Sequence, residues 1–246
     1  MTEEKVPNTT LVIDEEASTS QKIVVATSHG QMYAMCGFST QGVWFQNCRQ
    51  HGADACKAEL PRLSLTFRLS AATAQKMGYK PSLANPLRIV MQEAFHNVSF
   101  SDMLAEVLPF LTADVTKMFG KTFYNNKRLC GEFVTKEHWP TASDFTYSYS
   151  RSKEHVGSTM GPILTRLTSQ VAIYAKQPFD WAHATLYPGS TTKLGMHADN
   201  EKVICYGSDI YCLTFMPQVG TRDVYIVPKI EKIGEKRKNK NISTGG

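Results

Sequence analysis

The segment from Pro61 to Leu69, PRLSLTFRL, constrains the fold more than any other part of the chain. Its apolar and polar residues alternate strictly: Leu63, Leu65 and Phe67 alternate with Arg62, Ser64, Thr66 and Arg68. Successive side chains of a β-strand point to opposite faces of the sheet. The alternation therefore predicts a strand with one face in a hydrophobic core and the other forming a polar wall.

The two arginines of the polar wall indicate a site for anions. A guanidinium keeps its charge and binds carboxylates with two parallel hydrogen bonds, which suits a dicarboxylate such as 2-oxoglutarate. The alternative is a solvent-exposed strand face with two solvated arginines. At about 3.3 Å per residue, the Cα atoms of Arg62 and Arg68 lie roughly 20 Å apart, so the two side chains would serve opposite ends of a site.

A second chemical feature is His197-Ala198-Asp199, within the stretch LYPGSTTKLGMHADN. On an extended segment, an imidazole and a carboxylate two residues apart point to the same side and can bind one metal ion. A non-haem Fe(II) oxygenase uses two histidines and one carboxylate on one face of the metal. The pair therefore predicts two of three ligands, and a surface loop is the alternative interpretation.

Length and composition favour one catalytic domain. The chain has 246 residues, of which 42% are apolar, enough to fill the core of one large domain. It has no run of about 18 apolar residues for a membrane span, and MTEEKVPNTT lacks the pattern of a signal peptide. The six cysteines show no metal-site or disulfide spacing, which predicts reduced thiols in a cytoplasmic or nuclear protein.

The distribution of charge divides the chain into three parts. Residues 1–20 are polar and predict a flexible leader, and residues 21–228 are expected to form the single domain. Residues 229–246 form a basic tail, in which six basic residues against two acidic ones give a net charge of +4. Such a tail attracts polyanions such as RNA, or is merely solvated.

The pattern along the domain predicts a mainly β fold with flanking helices, an α+β protein. Strands are predicted at 23–27 and 31–36 around a Ser28-His29-Gly30 turn, at 42–48 leading into His51, and in the segments AHATLY, DIYCLTFMP and DVYIVP. A helical joining segment is predicted over 70–120, and one amphipathic helix over 160–177. Many short strands without a βαβ rhythm favour a β-sandwich or jelly roll.

Residues 121–157 are rich in Tyr, Ser, Thr and Lys. Aromatic and basic side chains in such a segment can stack on and clamp a nucleotide. We therefore expect either a substrate lid carrying Tyr147, Tyr149 and Arg151, or an ordinary polar hairpin.

Six pieces of the sequence together resemble the AlkB family of Fe(II)- and 2-oxoglutarate-dependent dioxygenases. They are Tyr187, His197-Ala198-Asp199, DIYCLTF, HGQMYAM, His51 and RLSLTFR. The last three close the domain in that family but stand first in this chain. The resemblance implies a circularly permuted double-stranded β-helix, or jelly roll, in which the strand ending near Pro228 lies beside the strand starting near Gln21.

The resemblance also implies site residues and an activity. His51, His197 and Asp199 would hold Fe(II), while Arg62, Arg68, Tyr187 and Thr185 would line the 2-oxoglutarate site. Thr185 stands where the family has asparagine. With O2 as co-reactant, the family oxidises an N-methyl group, such as that of 1-methyladenine or 3-methylcytosine in single-stranded RNA or DNA. Two alternatives stay open, a hydroxylase of protein or a small metabolite and a catalytically inactive nucleic-acid-binding module.

Overall fold

The fold is that of a computed structural model. It describes residues 9–12, 23–36, 43–51, 61–81, 88–93, 95, 97–118, 121–148, 154–189, 192, 199, 201–217 and 221–228. For 9–12, 23–26, 35–36, 43–51, 88–93, 114–118, 122–127, 221–223 and 225–228 it describes the backbone alone.

Thirteen strands and three α-helices make up the described fold. The strands are β1 (Thr9–Val12), β2 (Ile23–Thr27), β3 (Gln31–Cys36), β4 (Val43–His51), β5 (Arg62–Arg68), β6 (Arg88–Glu93), β7 (Thr112–Met118), β8 (Lys121–Val134), β9 (Thr146–Tyr147), β10 (His155–Thr159), β11 (Trp181–Tyr187), β12 (Ile210–Phe215) and β13 (Thr221–Pro228). The helices are α1 (Ala71–Met77), α2 (Phe100–Val107) and α3 (Pro162–Ala175), with short 3-10 helices at Leu108–Phe110 and Ala142–Asp144.

The strands form two sheets. The large sheet has ten strands in the order β1-β6-β3-β12-β5-β11-β8-β10-β9, with β7 also pairing with β8. The small sheet has three strands in the order β2-β13-β4. Only β10 and β8 pair in parallel among the described strands. The expectation of a mainly β, α+β protein is therefore confirmed.

The strand β5 lies near the middle of the large sheet, between β12 and β11. Its Leu63, Leu65 and Phe67 belong to a buried core that includes Val107 of α2 and residues of α3. The apolar face predicted for this segment is thus confirmed, and helices cover it. Burying that face is what holds α2 and α3 against the sheet, because apolar area removed from water stabilises the fold by about 25 cal/mol per Å².

The opposite face of β5 is enclosed as well. Val224 of the small sheet packs in one cluster with Tyr33, Trp181 and Cys212 of the large sheet, so the two sheets meet on this side. The exposed fractions of Arg62 and Arg68 are 0% and 4%. The alternative of a strand face with solvated arginines is therefore wrong, and the polar wall lies inside the protein.

The helix ends are capped by local hydrogen bonds. The Ser70 hydroxyl accepts from the Thr73 amide at the start of α1, and Gly78 ends that helix with φ of 64°. A left-handed backbone of this kind favours glycine because a Cβ is disfavoured there. At the start of α3, the Glu106 carboxylate accepts from the amides of Ile163 and Leu164, each at 2.8 Å. A negative charge at a helix N-terminus is stabilising.

The predicted helical joining segment 70–120 is correct only in part. It contains α1 and α2, but β6 and β7 are strands. A short apolar run such as RIVMQE fits either structure by its pattern, and pairing with β3 and β1 makes it a strand here. The predicted leader also contains a strand, since β1 pairs with β6.

The strands at the two ends of the predicted domain are neighbours. The strand β13 pairs antiparallel with β2, from Arg222 opposite Thr27 to Ile226 opposite Ile23. The predicted adjacency of the strand ending near Pro228 and the strand starting near Gln21 is therefore observed.

Within the described ranges, no helix is both long and apolar enough to cross a membrane.

Candidate functional site

Polar side chains from four neighbouring strands line the interior face of the large sheet. The cross-strand register forms two rows: Cys212, Thr66, His183 and Glu132 in one, and Thr214, Ser64, Thr185 and Cys130 in the other. All but Thr66 and His183 are buried, and these two are partly buried. Polar groups removed from water need partners, so this face is a strong candidate for a binding site.

Arg62 lies at one end of the polar wall. It is opposite Tyr187 in the register, and its guanidinium carbon lies 4.3 Å from the centroid of that ring. Burial lowers the pKa of Arg62, more than the nearby Tyr187, Tyr33 and Cys212 raise it. The shift means that the surroundings disfavour its positive charge. An anionic ligand beside Arg62 would be stabilised by that charge.

Arg68 lies at the other end of β5 and forms a buried ion pair with Asp199. Its guanidinium carbon lies 4.8 Å from the Trp181 ring and 5.5 Å from the Tyr147 ring. Burial alone would lower the pKa of Arg68, but the Asp199 carboxylate raises it above its ordinary value. Among the described residues, its Nε and Nη1 atoms have no hydrogen-bond partner, so this guanidinium retains donors for a ligand.

A chain of hydrogen bonds links Glu132, His183 and Thr185. The Nδ1 atom of His183 lies 2.7 Å from Glu132 Oε1, and its Nε2 lies 2.9 Å from Thr185 Oγ1. The other Glu132 oxygen accepts from Trp181 Nε1 at 2.6 Å. Burial would lower the pKa of His183, but the Glu132 carboxylate and Cys130 raise it to about 10. Burial would raise the pKa of Glu132, and His183 lowers it instead.

The predicted metal ligands are described only in part. Asp199 is buried with an exposed fraction of 4%. His51 ends β4 opposite Thr221, but its side chain and the whole of His197 lie outside the described residues. In the described part of the chain, no group of three or more His, Cys, Asp and Glu residues could hold a metal. The convergence of the three ligands therefore stays a prediction.

Tyr147 does not lie in an exposed lid. Its exposed fraction is 3%, and its ring centroid lies 4.7 Å from that of Trp181. The segment before it is also not a lid, because β8 pairs with β11 inside the large sheet. The Tyr147 ring packs in the core beside Trp181 and Arg68, and its assignment to the substrate site stays a prediction. Tyr149 and Arg151 lie outside the described residues.

The sequence interpretation missed Glu132 and His183. One signal was present, since the alternation in WAHATLY puts Trp181, His183, Thr185 and Tyr187 on one face. Nothing in the sequence pairs that face with Glu132, because the register between β11 and β8 decides that contact. The partner could be found only from the tertiary structure.

Comparisons with models of known families, with curated proteins and with solved structures gave no match. The site is therefore interpreted from its own residues. The candidate site contains the buried guanidiniums of Arg62 and Arg68 on one strand, the hydroxyl of Thr185 and the buried carboxylate of Asp199. These groups suit a dianionic ligand next to a metal ion.

Proposed function

We propose that this protein is an Fe(II)- and 2-oxoglutarate-dependent dioxygenase with a circularly permuted jelly-roll fold. The observation that carries the proposal is the buried ion pair between Arg68 and Asp199. It joins the RLSLTFR strand to the His-x-Asp segment. These are the two most chemically informative pieces of the AlkB-like motif set, and they lie far apart in the sequence.

The strand order supports the same proposal. Four strands that carry motif pieces, β11, β5, β12 and β3, are consecutive neighbours in the large sheet. The small sheet packs against their polar face through Val224, and two packed sheets are what the proposed jelly roll requires. Pairing of β13 with β2 is the adjacency that a permuted connection requires.

Three residues would hold the iron: His51, His197 and Asp199. Two imidazoles and a carboxylate are the donor set that non-haem Fe(II) prefers. Asp199 fits this role because its carboxylate is buried on the side where the sheets meet. Arg68 forms an ion pair with this carboxylate, and a carboxylate must be deprotonated to bind a metal.

The cosubstrate would lie along the polar wall. Arg62, stacked on Tyr187, is proposed to bind one carboxylate of 2-oxoglutarate, and Arg68 and Thr185 line the rest of its site. A buried guanidinium whose charge is disfavoured by desolvation gains most from an anionic partner. Bound iron would supply the oxidising chemistry, in which 2-oxoglutarate and O2 would be converted to succinate and CO2 as the substrate is hydroxylated.

The proposed substrate is an N-methylated base such as 1-methyladenine or 3-methylcytosine in single-stranded RNA or DNA. Hydroxylation of the methyl group gives an unstable hydroxymethyl group, which leaves as formaldehyde. The basic tail, with its net charge of +4, supports a nucleic-acid partner because cationic residues attract phosphates. The enclosed Tyr147 gives no support to base stacking by that ring.

An anaerobic titration tests the iron and cosubstrate assignment. Adding Fe(II) and then 2-oxoglutarate should produce the metal-to-ligand absorption band and, once O2 is admitted, iron-dependent succinate. Asp199→Ala should abolish both signals, whereas Asp144→Ala, at an exposed position, should leave them intact. A protein that binds neither Fe(II) nor 2-oxoglutarate would contradict the proposal.

The substrate is tested separately with a methylated single-stranded oligonucleotide. Formaldehyde release should decrease with added salt, because phosphate contacts release counterions, and should decrease when residues 229–246 are deleted. An unmethylated oligonucleotide is the control. Turnover of 2-oxoglutarate without any demethylation would favour the hydroxylase of protein or a small metabolite.

A further inference from the structure

Thr185 has an unusual set of hydrogen-bond partners. Its Oγ1 lies 2.9 Å from His183 Nε2 and accepts from Cys130 Sγ at 3.9 Å. A hydroxyl oxygen has two acceptor lone pairs and one proton to donate. With a protonated His183, both lone pairs are occupied, and the hydroxyl proton is left for a third group.

The protonation of His183 decides which way that proton points. In an imidazolium, both ring nitrogens are donors, so Nδ1 donates to Glu132 and Nε2 donates to Thr185. In a neutral ring that donates to Glu132 through Nδ1, Nε2 must accept, and Thr185 would turn its proton toward it. Through the protonation of His183, Glu132 therefore decides whether the Thr185 hydroxyl donates its proton to His183 or to a third group.

We propose that Glu132 and His183 are positioning residues that hold Thr185 as a hydrogen-bond donor toward bound 2-oxoglutarate. This inference rests on the proposed function. Thr185 stands on the polar wall between Tyr187 and His183, in the row that also contains Ser64. An amide side chain at this place would carry its own donor, whereas a threonine needs the imidazolium to direct its proton.

The surroundings keep the imidazolium charged. Glu132 is fixed by Trp181 Nε1 at 2.6 Å, so its carboxylate cannot turn away from His183. Among the described residues, the other titratable groups near the pair are Cys130, Arg68 and Tyr147. The Tyr147 ring centroid lies 6.0 Å from that of His183. With a pKa raised to about 10, His183 stays protonated throughout the neutral range.

The substitution Glu132→Gln separates the two protonation states. It keeps the shape of the side chain but removes the charge that raises the pKa of His183, so burial should keep the ring neutral throughout the neutral range. Binding of 2-oxoglutarate to the anaerobic Fe(II)-loaded protein should be equal at pH 6 and pH 8 in the original protein. In Glu132→Gln it should be about 10-fold weaker than in the original protein at both pH values, the effect of one hydrogen bond to a charged group.

Substitutions at Thr185 provide the matched controls. Thr185→Asn carries its own amide donor, so adding it to Glu132→Gln should restore 2-oxoglutarate binding. Thr185→Val should weaken binding about 10-fold at both pH values, and Thr185→Ser should not. If Glu132→Gln does not fold, the comparison of Thr185→Val with Thr185→Ser still tests the role of the Thr185 hydroxyl. The exposed Glu137→Gln should match the original protein.

The ring of His183 is also followed by NMR without ligand. Its resonances should be those of an imidazolium from pH 6 to pH 8 in the original protein, and those of a neutral ring in Glu132→Gln. A titrating ring in the original protein, or full binding by Thr185→Val, would overturn the positioning role alone. Failure of the original protein to bind 2-oxoglutarate at any pH would overturn the proposed function together with it.

Discussion

Arg68 and Asp199 form a buried ion pair although 131 residues of chain separate them. The contact ties the central strand β5 to a segment that follows β11. Both groups are buried, so removal of either one would leave the charge of the other without a partner and would destabilise the fold strongly. The pair therefore fixes the position of Asp199, a predicted metal ligand.

The first prediction concerns this pair. Asp199→Ala should lower the free energy of unfolding by about 3 to 5 kcal/mol, because it leaves the charge of Arg68 buried without a carboxylate. Urea unfolding of the metal-free protein measures the change. Asp144→Ala, at an exposed position, should change it by less than about 0.5 kcal/mol. Equal stabilities for the two variants would contradict a stabilising role of the pair.

The second prediction separates the cosubstrate from the metal. Arg62→Ala should weaken 2-oxoglutarate binding by about 3 kcal/mol, or roughly 100-fold, while Fe(II) affinity changes little. Calorimetric titration with each ligand gives the two values. Arg166→Ala, on the exposed side of α3, is the matched control. An unchanged 2-oxoglutarate affinity in Arg62→Ala would remove this residue from the site.

The third prediction concerns Asp180, which is completely buried. Its carboxylate accepts hydrogen bonds from Ser70 and Thr73 of the α1 cap and from Trp139 Nε1, at 2.5 to 2.8 Å. Asp180→Asn should destabilise the fold by about 3 kcal/mol, because an amide nitrogen would face several of these donors. Chemical denaturation compared with the exposed Asp144→Asn measures the effect, and a loss below about 0.5 kcal/mol would show that the network contributes little.

The fourth prediction is a pH dependence. His183 has its pKa raised from 6.5 to about 10 in the folded protein, so its contribution to stability is complete below about pH 6.5 and is lost as pH rises to about 10. The stability advantage of the original protein over His183→Gln should shrink over that range. Equilibrium unfolding at several pH values measures the difference. A constant difference from pH 6 to pH 10 would show that the ring is not charged.

The fifth prediction follows from the burial of Tyr147. Tyr147→Ala should lower the free energy of unfolding by about 3 to 5 kcal/mol, because it leaves a cavity beside Trp181 and Arg68. Val156→Ala, with Val156 56% exposed, should have little effect. Thermal unfolding measured with both variants provides the comparison. A Tyr147→Ala variant of full stability that fails only in demethylation would return this ring to the substrate site.

The sequence by itself determined the local elements. Strict alternation predicted both faces of β5, because the side chains of a strand alternate between a core face and an opposite face. The turn at Ser28-His29-Gly30 and the helix within 160–177 were also predictable, because their signals lie within each segment itself. Where the pattern fitted two structures, as in RIVMQE, the prediction of helix failed.

The tertiary structure alone decided which elements meet. Pairing of β8 with β11 brings Glu132 to His183, and the approach of the two sheets turns a polar strand face into a buried wall. No local pattern contains these contacts, since their partners are distant in the chain and register is set by side-chain packing across strands. Sequence therefore predicted several residues of the candidate site, and the fold decided which of them share an environment.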